Sequence, residues 1–223
     1  MEEKFKKIKE IVKKELSCSA HDMDHIMRVY NLSLHLAKGE KVDLEVLKAS
    51  ALLHDIARVK EDNDQTGKTD HAVLSSAMAR TILKQLDFTE DKIRHVQNCI
   101  LSHRYRTGNE PKTTEAQILF EADKLDTLGA IGVARTFVWV GRNNAHIYRK
   151  VTVEDYAKEN LGGKINGRIQ DKTKHSPQIE FETKGKFLAD KIYTKKGKEI
   201  LEERIDFYKM FLDRLEKEIK GEI

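Results

Sequence analysis

The chain has 223 residues, 39% of them hydrophobic and 35% charged, with only two prolines; that length allows one sizeable core, and the Lys, Glu and Leu balance suits helices better than sheets. Lysine and arginine exceed aspartate and glutamate by 41 to 37, a net charge of +4 that does not mark a nucleic-acid binder and suits an anionic small molecule at least as well. The N-terminal MEEKFKKIKEIVKKEL has no apolar h-region, no run of about 18 apolar residues occurs, and Cys18 and Cys99 form no CxxC pair, so the expectation is a soluble, cytoplasmic protein without a membrane span, disulfide framework or thiolate zinc site.

Phe5, Ile8 and Val12 recur at helical spacing and predict a first helix that stops near SCSAHDMD, a stretch rich in small and capping residues. A second starts close to Asp24 and runs through Ile26, Val29, Leu32 and Leu36 to Gly39, a natural C-terminal stop. The third follows Asp43 through Leu47, Ala51 and His54. KEDNDQTGKTD has almost no apolar content and reads as an exposed loop, after which Thr69 or Asp70 can cap a helix carrying Leu74, Met78 and Ile82. Ile93, Val96, Ile100 and His103 predict another helix, and Leu119, Ala122, Asp126 and Ala130 one more. From Gly141 to about Gln178 the pattern dissolves into GRNN, NLGGKINGR and DKTKHSP, which reads as a long irregular connection with a short helix around 153–158. Leu201, Ile205, Tyr208, Leu212, Leu215 and Ile219 step by four, three, four, three and four; such a stripe packs on the chain's own core or on a partner helix, so a monomer or a homodimer is compatible with it.

In ALLHDIA the apolar pattern of the third helix ends in His54 and Asp55. Leu47 and Ala51 share the face of His54, which turns the imidazole inward, and an inward carboxylate beside it is costly unless a cation or several donors meet it. His25 stands one turn before Val29 on the same face of the second helix, and Asp123 directly follows Ala122 in FEADKLDTLGAIG. Two histidines and two aspartates from three helices form a nitrogen and oxygen donor set suited to Mn, Mg, Fe, Co, Zn or Ni.

HDMDHIMRV, ALLHDIA and EADKLDTLGAIG resemble, in order and flanking residues, the three motif blocks of the HD-domain metal-dependent phosphohydrolases. HAVLSSAMARTIL, GAIGVARTF and the C-terminal KGKEILEERIDFYKMFLDRLEKEIKGE extend the resemblance to the bacterial YpgQ-type subgroup over most of the chain. The resemblance implies an all-α fold: a single HD-domain helical bundle over 1–223, with a motif core at about 20–135, a variable connection at about 141–186 and a long C-terminal helix at about 194–220 packed on the core. It further implies a divalent cation, commonly manganese, on His25, His54, Asp55 and Asp123, and hydrolysis of nucleoside triphosphates to monophosphate and pyrophosphate; a phosphodiesterase or nucleotidase on the same centre, or a nucleotide sensor without turnover, are the alternatives. Asp123 is preferred to Asp126 because the family ligand is the Asp of an AD[KR]L string, leaving Asp126 a place beside the ligands. The 141–186 segment, unusually rich in Lys and Asn, departs from the family pattern and bears on substrate choice.

His71 and His103 match histidines that recur in HD proteins, where some branches bind a second metal; a phosphate-binding or acid role is favoured two to one, about. His71 or Asp126 would manage protons. Arg28, Arg58 and Lys124 lie within about a turn of a proposed ligand and Arg104 follows His103; each can be a solvated surface charge, yet phosphates require cations and a guanidinium matches them bidentately. Lys124 and Arg58 rank first among them. His21 reads as a cap or surface residue, His35, His95, His146 and His175 as solvated, and Trp139 as core or a base-stacking ring. No membrane or nucleic-acid partner is expected.

Overall fold

The computed structural model describes every residue except 1, 17–22, 105–107, 166, 184, 186–187 and 189–190. The described residues are all-α with no strand among them, and none of their helices is long and apolar enough to cross a membrane. They fall into two compact units, Met1–Asp123 and Lys124–Ile223.

In the first unit α1 (Glu2–Glu15), α2 (Met23–Leu36), α3 (Leu44–Leu53), α5 (His71–Gln85) and α6 (Glu90–Ser102) pack together, with α3 in contact with each of the others. Its sequence is apolar nearly all round, so Val46, Leu47, Ala49, Ala51, Leu52 and Leu53 are all buried. Asp43 caps α3, accepting from the backbone N–H of Glu45 and Val46, and Asp70 caps α5 in the same way on Ala72 and Val73. Between them α4 (Arg58–Asp62) continues regular structure into the stretch that reads as a loop. α7 (Thr114–Leu125) carries the third motif across the boundary to the second unit. Cys99 is buried in the first unit, and burial pushes its thiol up to about 12, which leaves it no nucleophilic thiolate. Cys18 lies outside the described residues.

In the second unit α8 (Gly129–Arg142) packs against α10 (Pro177–Thr183) and the long α11 (Lys195–Ile219), with α9 (Val153–Asn160) on α10. Leu201 and Tyr208 are the buried side chains of the α11 stripe; Phe181 stacks on Tyr208 and Phe211 meets Phe137 edge-on, whereas Ile219 is 49% exposed. Helices α9 and α10, with a 3-10 turn at Lys172–Lys174, order more of the 141–186 segment than its sequence suggests.

The GAIG string has two different backbone reasons. Gly129 sits at φ +66°, where a side chain is strained, and Gly132 comes so close to the preceding turn that a Cβ would lie 2.2 Å from the Thr127 carbonyl oxygen. Backbone cannot swing away as a side-chain tip can. Gly132→Ala is therefore expected to destabilise the second unit by about 2–3 kcal/mol in urea unfolding; a change below about 0.5 kcal/mol, the usual surface value, would refute that packing.

Candidate metal centre

The chain bends at LLHDIA. α3 ends at Leu53, and residues 51–57 are all buried, so neither His54 nor Asp55 can turn to water. The His54 ring is oriented by its Nδ1, which donates to the Ala51 carbonyl at 2.9 Å. A carbonyl only accepts, so the proton of the neutral ring is on Nδ1 and Nε2 is left with its lone pair. That nitrogen is buried and has no hydrogen-bond partner among the described residues, and neither has Oδ1 of Asp55.

His25 comes from the first turn of α2 and is 1% exposed. Its Nε2 lies 3.8 Å from Asp55 Oδ2 and 3.5 Å from Asp123 Oδ1, and His54 Nε2 lies 3.9 Å from Asp55 Oδ2. The four residues singled out as ligands are thus brought together inside the first unit. A cation about 2.1 Å from each donor spaces its ligands by roughly 3.0–3.4 Å, a little tighter than this set, so the residues fit a divalent ion with small side-chain shifts.

On the other side of the same carboxylate, His71 Nε2 and His103 Nε2 approach Asp55 Oδ1 at 3.2 and 3.4 Å and each other at 3.3 Å. His103 Nδ1 donates to the Ile100 carbonyl at 2.5 Å, so its Nε2 is also an acceptor in the neutral ring. Asp55 therefore belongs to two convergent groups, His25–His54–Asp55 and Asp55–His71–His103, either of which has metal-ligand spacing.

Electrostatics follow from burial. The His54 imidazole, fully buried, is pushed down to about 4, so it stays neutral and able to ligate near neutral pH. His71 is also lowered, chiefly by burial, against the pull of the Asp55 carboxylate. For Asp55 burial works upward, but the imidazoles of His54, His103 and His71 around it win and hold it well below the usual carboxylate range.

The predicted phosphate cations are placed less simply. Arg58 reaches Glu61 at 3.1 Å and Asp62 at 3.3 Å, and Arg104 reaches Glu61 at 3.0 Å and Asp70 at 2.7 Å. Both stand at the rim of the histidine cluster, because Glu61 also touches His71. Arg28 is half-buried, three residues beyond His25 on α2. Lys124 and Asp126 belong to the second unit, where the buried Asp126 carboxylate accepts from Arg135 Nη1 at 2.5 Å.

Two residues escaped the sequence reading. Glu61 lies in a stretch read as loop, and the bend at 54–57 breaks the helical phase that would have related it to His54. His175, expected to be solvated, is 2% exposed: Tyr156 Oη and Glu180 Oε2 contact its two ring nitrogens at 2.9 and 2.8 Å, and Trp139 meets the ring edge-on. Its neighbours in sequence carry no periodicity that would signal burial. His21, and Tyr105 and Arg106 beside Arg104, lie outside the described residues.

Residues 23–128 match the family model of the HD domain. YpgQ of Bacillus subtilis is 28% identical over 204 residues, covering 91% of this chain and 86% of that protein. The crystal structure of YpgQ in complex with ADP is similar with a TM-score of 0.72 and 25% identity, over 98% of this chain and 96% of that one. A Lactobacillus plantarum protein has a TM-score of 0.74 at 22% identity, covering 99% of each chain. An HD-superfamily hydrolase from an uncultured Thermotogales bacterium has a TM-score of 0.63 at 24% identity, over 96% of this chain and 91% of that one; at such identities the likeness is one of fold. Residues 23–128 are thus the part of the chain that matches the HD domain.

Proposed function

We propose that the chain is a metal-dependent phosphohydrolase that cleaves nucleoside triphosphates to monophosphate and pyrophosphate, with manganese as the first choice of cation on His25, His54, Asp55 and Asp123. The observation that carries this reading is the buried lone pair on His54 Nε2, which has no hydrogen-bond partner among the described residues and lies 3.9 Å from Asp55 Oδ2. A buried polar atom left unsatisfied costs on the order of 1–3 kcal/mol, and a divalent cation removes that cost for several acceptors at once. When bound, such a cation lowers the pKa of a water and polarises a phosphoryl oxygen. A nucleotide is favoured as substrate because YpgQ, similar over most of this chain, was solved with ADP, whose two phosphates are joined by a phosphoric anhydride.

In this reading the oxygen of water bonds to the α-phosphorus. The bond from that phosphorus to the α–β bridging oxygen breaks, and its electron pair leaves with pyrophosphate. His71 accepts the proton: its ring is neutral and buried, and it reaches Asp55 through Nε2. Asp126, whose carboxylate accepts from Arg135, is the alternative proton carrier. Arg58 and Arg104 meet the phosphate charge, in competition with the carboxylates they now pair with, and Arg28 and Lys124 are the further candidates.

The test is pyrophosphate release from a panel of nucleoside triphosphates with Mn, Mg, Co or Zn. Equimolar monophosphate and pyrophosphate, appearing only with cation, are expected. Orthophosphate with diphosphate as products would overturn attack at the α-phosphorus, and no turnover by protein shown to hold manganese would overturn the hydrolase reading.

A further inference from the structure

We propose that Glu61 is a positioning residue that sets which nitrogen of His71 faces Asp55, an inference that rests on the phosphohydrolase reading for its effect on rate but not for its geometry. Glu61 lies on α4, seven residues after His54, and its carboxylate is 17% exposed. Oε2 lies 2.5 Å from Nδ1 of His71 and 3.1 Å from Nη1 of Arg58; Oε1 lies 3.0 Å from Nη2 of Arg104. The three neighbours approach this one carboxylate from α4, α5 and the segment after α6.

The shortest contact decides the assignment, because the alternative, a proton on Nε2 shared between Asp55 Oδ1 at 3.2 Å and His103 Nε2 at 3.3 Å, would leave Nδ1 facing a carboxylate oxygen at 2.5 Å with no proton between them. A carboxylate between two guanidiniums is an acceptor, so the 2.5 Å contact requires a proton on His71 Nδ1. In the neutral ring this leaves Nε2 with a free electron pair, 3.2 Å from Asp55 Oδ1. Arg58 Nη1 lies 3.1 Å from the same Nδ1, but a guanidinium only donates, and with Nδ1 protonated it is left to Glu61 Oε2. Glu61 thus decides between two competing partners of one nitrogen. Without it, Arg58 is the group that remains beside Nδ1, and it can bond there only if the proton moves to Nε2. The ring would then present N–H instead of a lone pair toward Asp55, and His71 could neither accept a proton nor ligate through that atom. Buried partners that orient a histidine in this way are worth about 10–100-fold in affinity or activity when removed.

The tautomer can be read directly from the ring nitrogen shifts of 15N-labelled protein at pH 8, with the His71 signals assigned by their loss in His71→Gln. Wild-type protein is expected to carry the proton on Nδ1, and Glu61→Ala to carry it on Nε2. Glu61→Gln, whose amide oxygen can still accept, keeps the wild-type tautomer and separates loss of the acceptor from loss of folding. In the pyrophosphate assay Glu61→Ala loses about 10–100-fold in kcat, and Glu61→Gln recovers part of it. An Nε2 proton in wild type, or the same tautomer in wild type and Glu61→Ala, overturns the proposal. Because the spectrum is recorded without substrate, a protein that hydrolyses nothing still decides the role of Glu61, while the expected tautomers with no pyrophosphate release would count against the hydrolase reading alone.

Discussion

Asp55→Ala is expected to lower metal-dependent hydrolysis by about 1,000-fold or more and to remove the thermal stabilisation that a divalent cation confers. The expectation follows from the place of this carboxylate. Its Oδ2 faces His25 and His54 and its Oδ1 faces His71 and His103, so one substitution dismantles both convergent groups. At a free cation concentration of 100 times Kd, the wild-type protein gains about 2.7 kcal/mol, and each kcal/mol moves Tm by about 2–4 °C in a domain of 150–250 residues. A manganese-induced rise of roughly 5–10 °C in wild type, reversed by chelator and absent in Asp55→Ala, is the expected pattern in differential scanning fluorimetry. A variant that keeps its activity within tenfold, or keeps the whole shift, would show that the ion is held elsewhere.

Acid should destabilise the metal-free protein before its carboxylates are protonated. The imidazole of His54 titrates at about 4 in the folded protein because it is fully buried, but near 6.5 once unfolded. A base with a depressed folded pKa contributes stability in full above the unfolded value, and loses it as pH falls from about 6.5 toward 4. That window is worth about 3 kcal/mol for His54 by pH 4, and His71, also lowered by burial, pulls the same way. Asp55 acts further down: held below its usual range, it stabilises above about pH 4 and gives that up on further acidification. Urea unfolding in chelator at pH 8, 6 and 4.5 measures the slope. His54→Asn, whose amide can still donate to Ala51, is expected to flatten it, and a variant as steep as wild type would remove His54 as its source.

Much of this site could be read before any fold was known. Apolar periodicity points the inward face of each of α2 and α3 to water-free surroundings, so a histidine at the end of such a face is conspicuous without coordinates. His25, His54 and Asp55 were legible for that reason, and Asp123 through the string around it. Their use of Ala51 and Asp55 as orienting partners was not, because a ring tautomer depends on which atom lies within 3 Å, and spacing along the chain does not specify that.

The residues that escaped are those whose neighbours are remote in sequence or whose helical phase is broken. Glu61 meets His71 ten residues away and Arg104 more than forty away, across a bend that no periodicity crosses. His175 lies in a stretch without apolar rhythm, yet Tyr156 and Glu180 enclose it. Asp126, three residues after Asp123 in the linear string, accepts from Arg135, a partner that the string does not name.

The sequence by itself determined that the chain is all-α, which helices carry the histidines and aspartates, and that His25, His54 and Asp55 point inward, because burial and helical phase are local properties of three- and four-residue spacing. Only the tertiary structure decided which acceptors share Asp55, which arginines are already engaged by carboxylates, and which nitrogen of each ring is free. Those are matters of a few ångströms between distant segments, where a single proton on one side of an imidazole distinguishes a ligand or base from a donor.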